Sequence, residues 1–376
     1  MTVAALFWLS VCGVLYPYAG YPLVMWVVGR AVRRTGARRS APTLPSVSMI
    51  VPVHNEEACI ARKVANTSRL RYPADRLQIL FVSDGSTDRT VDVIRAGATP
   101  AMTVIELGAR RGKAAALNAG LERAANEILV FSDASIELEL DALDHLVRPF
   151  QDPEIGCVSG EDRIAESGGE SWYGRYELWL RRLESKVHSI VGASGSFYAQ
   201  RRALCAPFPA GLAPDFVSVL RTVEQGFRAV SEPAALGTMT SVKDPRHEFE
   251  RKVRTLIRGM TTLFAHARVL NPIRFGVFSF AVWSHKVMRW LVPFFLVAAF
   301  LSPVALLGSP WYLAAFAAQV AFYLVALAAF AEWGSLHRSF PGKVALYFST
   351  VNAAIVAAWC RYGMGVRQET WTPSHR

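Results

Sequence analysis

Glu127-Ile128-Leu129-Val130-Phe131-Ser132-Asp133-Ala134-Ser135 is the stretch that decides the fold. Four consecutive apolar residues followed by a carboxylate read as a strand buried on both faces, delivering one charged group at its carboxyl end, where open α/β sheets bind ligands. The pattern occurs once more upstream, where Leu77, Ile79, Leu80, Phe81 and Val82 run into Ser83-Asp84-Gly85-Ser86-Thr87-Asp88. Two buried strands ending in acids predict a pocket for a ligand that carries metal or hydroxyls.

Around these strands the chain alternates. Val47 to Val53 reads as a strand reaching Pro52, followed by His54-Asn55-Glu56-Glu57 and a helical stretch toward Leu70. Ser86 or Thr87 is placed to cap a helix carrying Val91 and Ile94. Val104 to Leu107 is a third strand, and Gly112 to Ala125 a third helix with Ala114, Leu117, Leu121 and Ala124 on one side. Strands alternating with helices give βαβ units, hence an α/β domain with a mainly parallel sheet. Farther on, Ser171 to Val187 reads as an amphipathic helix with Trp172, Tyr176, Trp179 and Leu183, and Gly192 to Tyr198 as a small-residue loop entering a strand. Pro214 to Gly226 reads as a helix that starts with an acid and ends with a glycine, and Glu248 to Ala267 as a basic helix.

The chain has 376 residues, 52% of them hydrophobic, and the apolar residues crowd both ends. Ala4 to Val28 is uncharged and long enough to cross a bilayer. Arg30, Arg33, Arg34, Arg38 and Arg39 follow it, as expected on the cytoplasmic side of an uncleaved anchor. Trp290 to Ala331 carries no charge and is broken into two spans at Gly308-Ser309-Pro310, and Val344 to Trp359 is a third candidate. Ile273 to Met288 mixes Phe275, Phe278, Phe280 and Trp283 with Arg274, His285 and Lys286, which suits a helix lying in the interface. The expected organisation is therefore an anchor (1–29), a basic linker (30–45), a soluble α/β domain (46–270), an interfacial helix (271–289) and a transmembrane region (290–376). This places an integral protein in the cell (inner) membrane with its domain in the cytoplasm. With the amino end outside, three later spans leave Arg361, Arg367 and Arg376 outside, against the positive-inside bias. Anionic lipid and an anionic substrate account for the net charge of +11 more simply than nucleic acid. The five cysteines show no metal spacing and read as buried free thiols. His188, His247 and His285 form no ligand pattern.

Val51-Pro52-Val53-His54-Asn55-Glu56-Glu57, Ser83-Asp84-Gly85-Ser86-Thr87-Asp88, Gly112-Lys113-Ala114 with Asn118, and Ser132-Asp133-Ala134-Ser135 together resemble the nucleotide-sugar half of family-2 glycosyltransferases. Those are inverting enzymes of the GT-A fold related to the cellulose and hyaluronan synthases. The resemblance extends over the flanking membrane segments. It implies transfer from a UDP-sugar, with Mg²⁺ or Mn²⁺, to a polysaccharide or lipid-linked acceptor in cell-envelope or exopolysaccharide synthesis. A synthase or export complex is a further implied partner.

The resemblance also assigns roles. Pro52, His54, Glu56, Asp84, Lys113 and Asp133 belong to the nucleotide set. Asp84 matches the acid that accepts from the base, and the alternative is a helix cap. Lys113 suits a phosphate or base edge, or is a solvated surface lysine. Asp133 matches the first acid of an Asp-X-Asp motif that holds ribose and metal. Ser135 replaces the second acid, so metal would be held by Asp133, water and the diphosphate. Glu137 and Glu139 read as solvated. Asp215 stands eleven residues before Gly226, the distance of the family's general base, and Pro214 replaces its acidic neighbour. The alternative for Asp215 is a helix amino-end acid. Arg254 matches the arginine of Gln-X-X-Arg-Trp and would face the diphosphate, while Arg251 and Thr255 replace the glutamine and the tryptophan. Arg251, Lys252 and Arg258 suit contact with anionic lipid. Gly192 to Gly195 aligns with the acceptor-side loop, and Trp172 and Trp179 could stack on sugars or pack. Loss of the tryptophan favours a non-processive transferase acting on a lipid. Loss of the two acids would suit a catalytically silent nucleotide-sugar-binding subunit of a synthase complex.

Overall fold

The computed structural model describes residues 2–32, 44–164, 169–239 and 245–367. Most of the expected basic linker, with Arg33, Arg34, Arg38 and Arg39, and the tail with Arg376 lie outside them. One eight-stranded sheet organises the chain, in the order β3-β2-β1-β4-β7-β6-β8-β5. Its strands are β1 (Val47–Val53), β2 (Leu77–Asp84), β3 (Met102–Leu107), β4 (Ile128–Ser132), β5 (Glu137–Leu138), β6 (Ile155–Ile164), β7 (Phe197–Arg201) and β8 (Arg228–Met239). From β3 to β4 every pairing is parallel, as the alternating elements predict. Beyond β4 the sheet is mixed, because β7 enters antiparallel to both β4 and β6, and β5 antiparallel to β8.

The apolar runs of the first strands are explained by burial on both sides. Ile50, Leu80, Val82, Leu129 and Phe131 join one core, while Met49, Val51, Ile79, Phe81 and Val130 join the other. Helix α3 (Glu57–Ser68) and α6 (Ala142–Val147) cover the second face. Helices α5 (Lys113–Arg123), α7 (Gly169–Val187), α8 (Pro214–Glu224), α9 (Pro245–Ala265) and α10 (Pro272–Val282) contribute to the first. The expected cap at Ser86 or Thr87 is displaced. Helix α4 (Thr90–Ala96) begins later, and Asp88 Oδ1 accepts from Thr90 N at 3.0 Å, while Ser86 Oγ and Thr87 N bond back to Ser83 and Asn55.

Among the described residues four helical segments, Val3–Ala31, Pro272–Leu306, Pro310–Phe330 and Phe340–Gly363, are long and apolar enough to cross a membrane. The first joins α1 (Val3–Leu15) to α2 (Tyr21–Ala31) through a π-helical turn, and a second π turn, Trp283–Val287, joins α10 to α11 (Met288–Leu301). Tyr16 Oη and Ser284 Oγ link the two turns at 2.8 Å. Of the cations expected in the interface Arg274 is exposed, but His285 turns inward, and so does Arg289 beyond it. His285 Nδ1 lies 2.6 Å from Glu184 Oε1 and its Nε2 3.1 Å from Glu177 Oε2, while Arg289 donates to Tyr173 Oη at 2.8 Å and to Glu177. Burial would raise both glutamates, but the cations outweigh it and hold Glu177 well below, and Glu184 below, the usual carboxylate range. After α12 (Pro310–Phe330), helix α13 (Phe340–Gly363) touches the domain at both ends: Phe340 packs edge-on against Trp172, and Arg361 pairs with Glu250 at 2.7 and 2.9 Å. All five cysteines are free; Cys157 is buried, but Cys12 and Cys360 are exposed, against the expectation.

Candidate active site

The site forms where β1 meets β4, the point at which strand order reverses. The ladder between these two strands ends at Ile50, so Pro52 lies past it, where a missing N–H costs the sheet little. Pro52, Lys113, Leu117, Phe131, Asp133, Gly195, Tyr198, Pro214 and Asp215 line one narrow cleft there. Residues far apart in sequence, expected to serve donor and acceptor, therefore face one another.

Asp133 is held by its backbone, whose N–H donates to Ser196 O at 2.9 Å. Its Oδ1 accepts from Lys113 Nζ at 2.5 Å, and the same ammonium reaches Gly195 O at 3.3 Å. Lys113 is thus held in the cleft beside Asp133 rather than solvated. Asp84 is almost wholly buried and its two oxygens accept from Arg111 N at 2.7 Å and Gly112 N at 2.8 Å. The carboxylate therefore fixes the turn that opens α5 and aims Lys113; it caps no helix at Ser86. Gly85 makes the close approach possible: its φ is +64°, and a Cβ there would sit 2.6 Å from Arg110 N. His54 Nδ1 bonds Asp84 O at 2.7 Å, tying the loops after β1 and β2 together. Glu56 precedes α3; its N–H donates to Thr90 Oγ1 at 2.8 Å and its carboxylate accepts from Cys59 Sγ at 3.0 Å. His54 and Glu56 both serve the loop framework beside the cleft.

Asp215 lies in the first turn of α8 and lines the same cleft as Asp133. A Cβ at Gly195 would lie 3.9 Å from its Cγ, so the small-residue loop leaves room beside this carboxylate. Arg254 does not line the cleft. It is half-buried on α9, and burial, then Arg251, pull it below the ordinary arginine value. One turn later, Arg258 is close enough to Asp215 and Asp133 for both to act on it against the effect of burial. It donates to Leu212 O at 2.6 Å. Arg258, for which lipid contact was the alternative reading, is therefore the one of the two arginines on which these acids act.

Two more groups escaped the sequence. Lys63 on α3 is fully buried and donates to Ser132 Oγ and Ile136 O, each at 2.8 Å, bracketing the turn that carries Asp133. Burial pushes its ammonium down to about 7, with Asp133 and Glu137 opposing. Asp162 on β6 has Ser194 Oγ at 2.8 and 2.7 Å from its two oxygens; burial raises its carboxyl, and Asp133 adds to the rise. Trp172 and Trp179 are exposed on α7, away from the cleft residues. A larger hollow of about 720 Å³ beside α5, lined by Leu107, Arg111, Asn118, Arg202 and Phe208, contains none of the expected site residues.

Among the described residues no three His, Cys, Asp or Glu side chains stand together as a ready metal site. Asp133 offers one carboxylate and Ser135 a hydroxyl. That set fits a divalent ion of the Mg²⁺ type, which keeps several waters and takes substrate phosphates as ligands, and it does not fit an all-protein cage.

Residues 48–205 match the family described as Glycosyl transferase family 2. The chain is 33% identical over 173 residues to a beta-monoglucosyldiacylglycerol synthase of Nostoc, covering 43% of this chain and 37% of the relative. It is 28% identical over 159 residues to the poly-beta-1,6-N-acetyl-D-glucosamine synthase of Staphylococcus aureus, covering 38% of each. The chain spans about half or less of the length of the curated relatives it matches. Among solved structures it resembles a mannosyltransferase from Pyrobaculum calidifontis in complex with GDP-Man and Mn²⁺, with a TM-score of 0.73 at 24% identity over 96% of this chain and 98% of that one. The fold is that of the GT-A glycosyltransferases.

Proposed function

Since residues 48–205 form a family 2 glycosyltransferase domain, we propose that the chain transfers a sugar, with inversion, from a UDP-sugar to a membrane-borne acceptor. The observation that carries this reading is the convergence of Asp133, its partner Lys113 and Asp215 on one cleft. Inversion requires a base and a leaving group on opposite faces of the anomeric carbon. Asp215, beside the open space at Gly195, takes the proton from the acceptor hydroxyl as it attacks. Lys113 and Arg258 stabilise the charge that develops on the departing diphosphate. Asp133 with the diphosphate would hold Mg²⁺ or Mn²⁺, which supplies further neutralisation of that charge. Asp84 acts by fixing the 111–112 turn and hence Lys113, and His54 and Glu56 fasten the loops that form the nucleotide side; Arg254, one turn from Arg258, opposes its charge.

Of the two acceptor classes, a lipid is favoured. Thr255, at the position of the synthases' tryptophan, is exposed and bonds Arg251 O, so it offers no platform for a sugar chain. The helical segments long and apolar enough to cross a membrane support a domain held at one, and the pairing of Arg361 with Glu250 supports the end of α13 lying on the domain's side. With the domain cytoplasmic in the inner membrane, that arrangement satisfies the positive-inside bias at both ends of the chain. The test is release of UDP or GDP by detergent-purified protein across a panel of UDP- and GDP-sugars, with and without chelator. Asp215→Asn should lower turnover by about 100-fold or more while UDP binding stays near normal. Unchanged turnover removes Asp215 from the mechanism, and UDP binding without turnover on any donor or lipid favours the silent-subunit reading.

A further inference from the structure

We propose that Lys113 guards the metal position of the cleft: its ammonium occupies the Asp133 carboxylate until a nucleotide diphosphate draws it away, so that a divalent ion binds with the nucleotide and not ahead of it. This rests on the transferase reading above, in which Asp133 is the metal's carboxylate, and deepens it by fixing the order in which the parts of the donor bind.

The cleft supplies one carboxylate where an Asp-X-Asp pair would supply two, because Ser135 stands at the third position. That carboxylate is taken. Lys113 Nζ donates to Asp133 Oδ1 at 2.5 Å and reaches Gly195 O at 3.3 Å, so the ammonium is held at two points. Among the described residues no other side chain hydrogen-bonds the Asp133 carboxylate. Asp162 is engaged with Ser194, Lys63 with Ser132 and Ile136, and Arg258 with Leu212 O. The Lys113 and Asp133 side chains are only 14% and 23% exposed, so salt screens the pair weakly.

A divalent ion brought to this carboxylate meets the ammonium at short range, and like charges so placed repel. A lone ion has to displace Lys113 and gains a single carboxylate in return, a poor exchange for an ion that gives up its waters reluctantly. A nucleoside diphosphate alters the balance. Its oxygens carry more negative charge than one carboxylate and can accept all three ammonium donors. The backbone of Lys113 does not have to move, because Asp84 holds the Arg111 and Gly112 N–H groups at 2.7 and 2.8 Å and fixes the start of α5. The flexible lysine stem alone swings the ammonium from Asp133 to the diphosphate. Asp133 is then free to act, with the diphosphate, as a ligand.

The experiment titrates Mn²⁺ alone into the full chain in neutral detergent, reading free Mn²⁺ by its electron paramagnetic resonance signal, and repeats the titration with UDP present. Lys113→Met should bind Mn²⁺ alone about tenfold or more tightly than wild type, and Lys113→Arg, which keeps the cation, should stay within about threefold of wild type. Adding Asp133→Asn to Lys113→Met should abolish the gain. UDP should raise the Mn²⁺ affinity of wild type by a factor about tenfold or more larger than it does for Lys113→Met. If gel filtration shows Lys113→Met misfolded, Lys113→Gln reads the same gain. Wild type binding Mn²⁺ alone as tightly as the folded Lys113 variant overturns the proposal, and so does a gain that survives Asp133→Asn. Equal enhancement by UDP in the two proteins overturns it as well, by showing that the nucleotide does not release Lys113. The titration without nucleotide reads the competition whether or not sugar is transferred, and UDP release by wild type judges the transferase reading separately.

Discussion

Replacing Lys63 with methionine should change the pH dependence of stability in a way no surface lysine would. The ammonium is fully buried beneath the Ser132–Ile136 turn, and its fall from 10.5 to about 7 is driven by burial. The unfolded chain therefore binds more protons than the folded one between about pH 7 and 10.5, so stability rises with pH across that window. The penalty is complete below pH 7, where it amounts to about 5 kcal/mol, and it is gone above 10.5. Between pH 7 and 9 the wild type should gain about 2 kcal/mol from this group, equivalent to roughly 4–8 °C in the melting temperature of a domain of this size. Lys63→Met removes the titration but leaves Ser132 Oγ and Ile136 O without their donor, at about 1–3 kcal/mol each, so the two proteins should melt close together at pH 7. By pH 9 the wild type should be clearly the more stable. Thermal melts of both proteins in detergent at pH 7, 8 and 9 provide the measurement. Turnover should also drop about tenfold in the variant, because the turn that carries Asp133 loses its clamp. Parallel melting curves for the two proteins across the pH series would show that Lys63 is not titrating in a buried state, and the argument would collapse.

Other consequences are independent of that lysine. Chelator should abolish most UDP release, and Asp133→Asn should weaken both UDP binding and turnover; chelator-insensitive turnover would show that Lys113 and Arg258 suffice for the diphosphate. Glu177→Gln strips a half-buried charge from Arg289 and His285 and should destabilise the packing of α7 on the helical segment Pro272–Leu306 by about 1–3 kcal/mol, read as a lowered melting temperature. Gly195→Ala adds a methyl group into the space beside Asp215. It should raise the acceptor KM several-fold while leaving UDP affinity unchanged, and an unchanged acceptor KM would place the acceptor elsewhere.

What was legible from the sequence follows from how far each signal reaches along the chain. Strands buried on both faces write themselves as apolar runs, so β1, β2 and β4 and the acids at their ends could be read directly, and Pro214 announces the start of α8. Asp133 and Asp215 were recognisable one by one, yet their meeting depends on β7 returning antiparallel beside β4, a pairing that no local pattern encodes. Lys63 did leave a trace, since it falls on the helix stripe of Ile60, Val64 and Thr67, where a lysine must either bury or break the face. Asp162 left none, because its partner Ser194 lies on a distant loop.

The segment from Ile273 to Met288 shows why periodicity fails at a particular kind of place. A reading at 3.6 residues per turn spreads Arg274, His285 and Lys286 along one interfacial helix. The π turn at Trp283–Val287 widens the helix by one residue and shifts every later side chain around the axis, and the facing π turn at Tyr16–Gly20 meets it through Tyr16 and Ser284. That shift is what turns His285 and Arg289 onto Glu177 and Glu184 and leaves Lys286 aimed at the Gly192 loop. Helical regularity is given up at the point where the two π turns meet, beside the buried ion pairs that join them to α7.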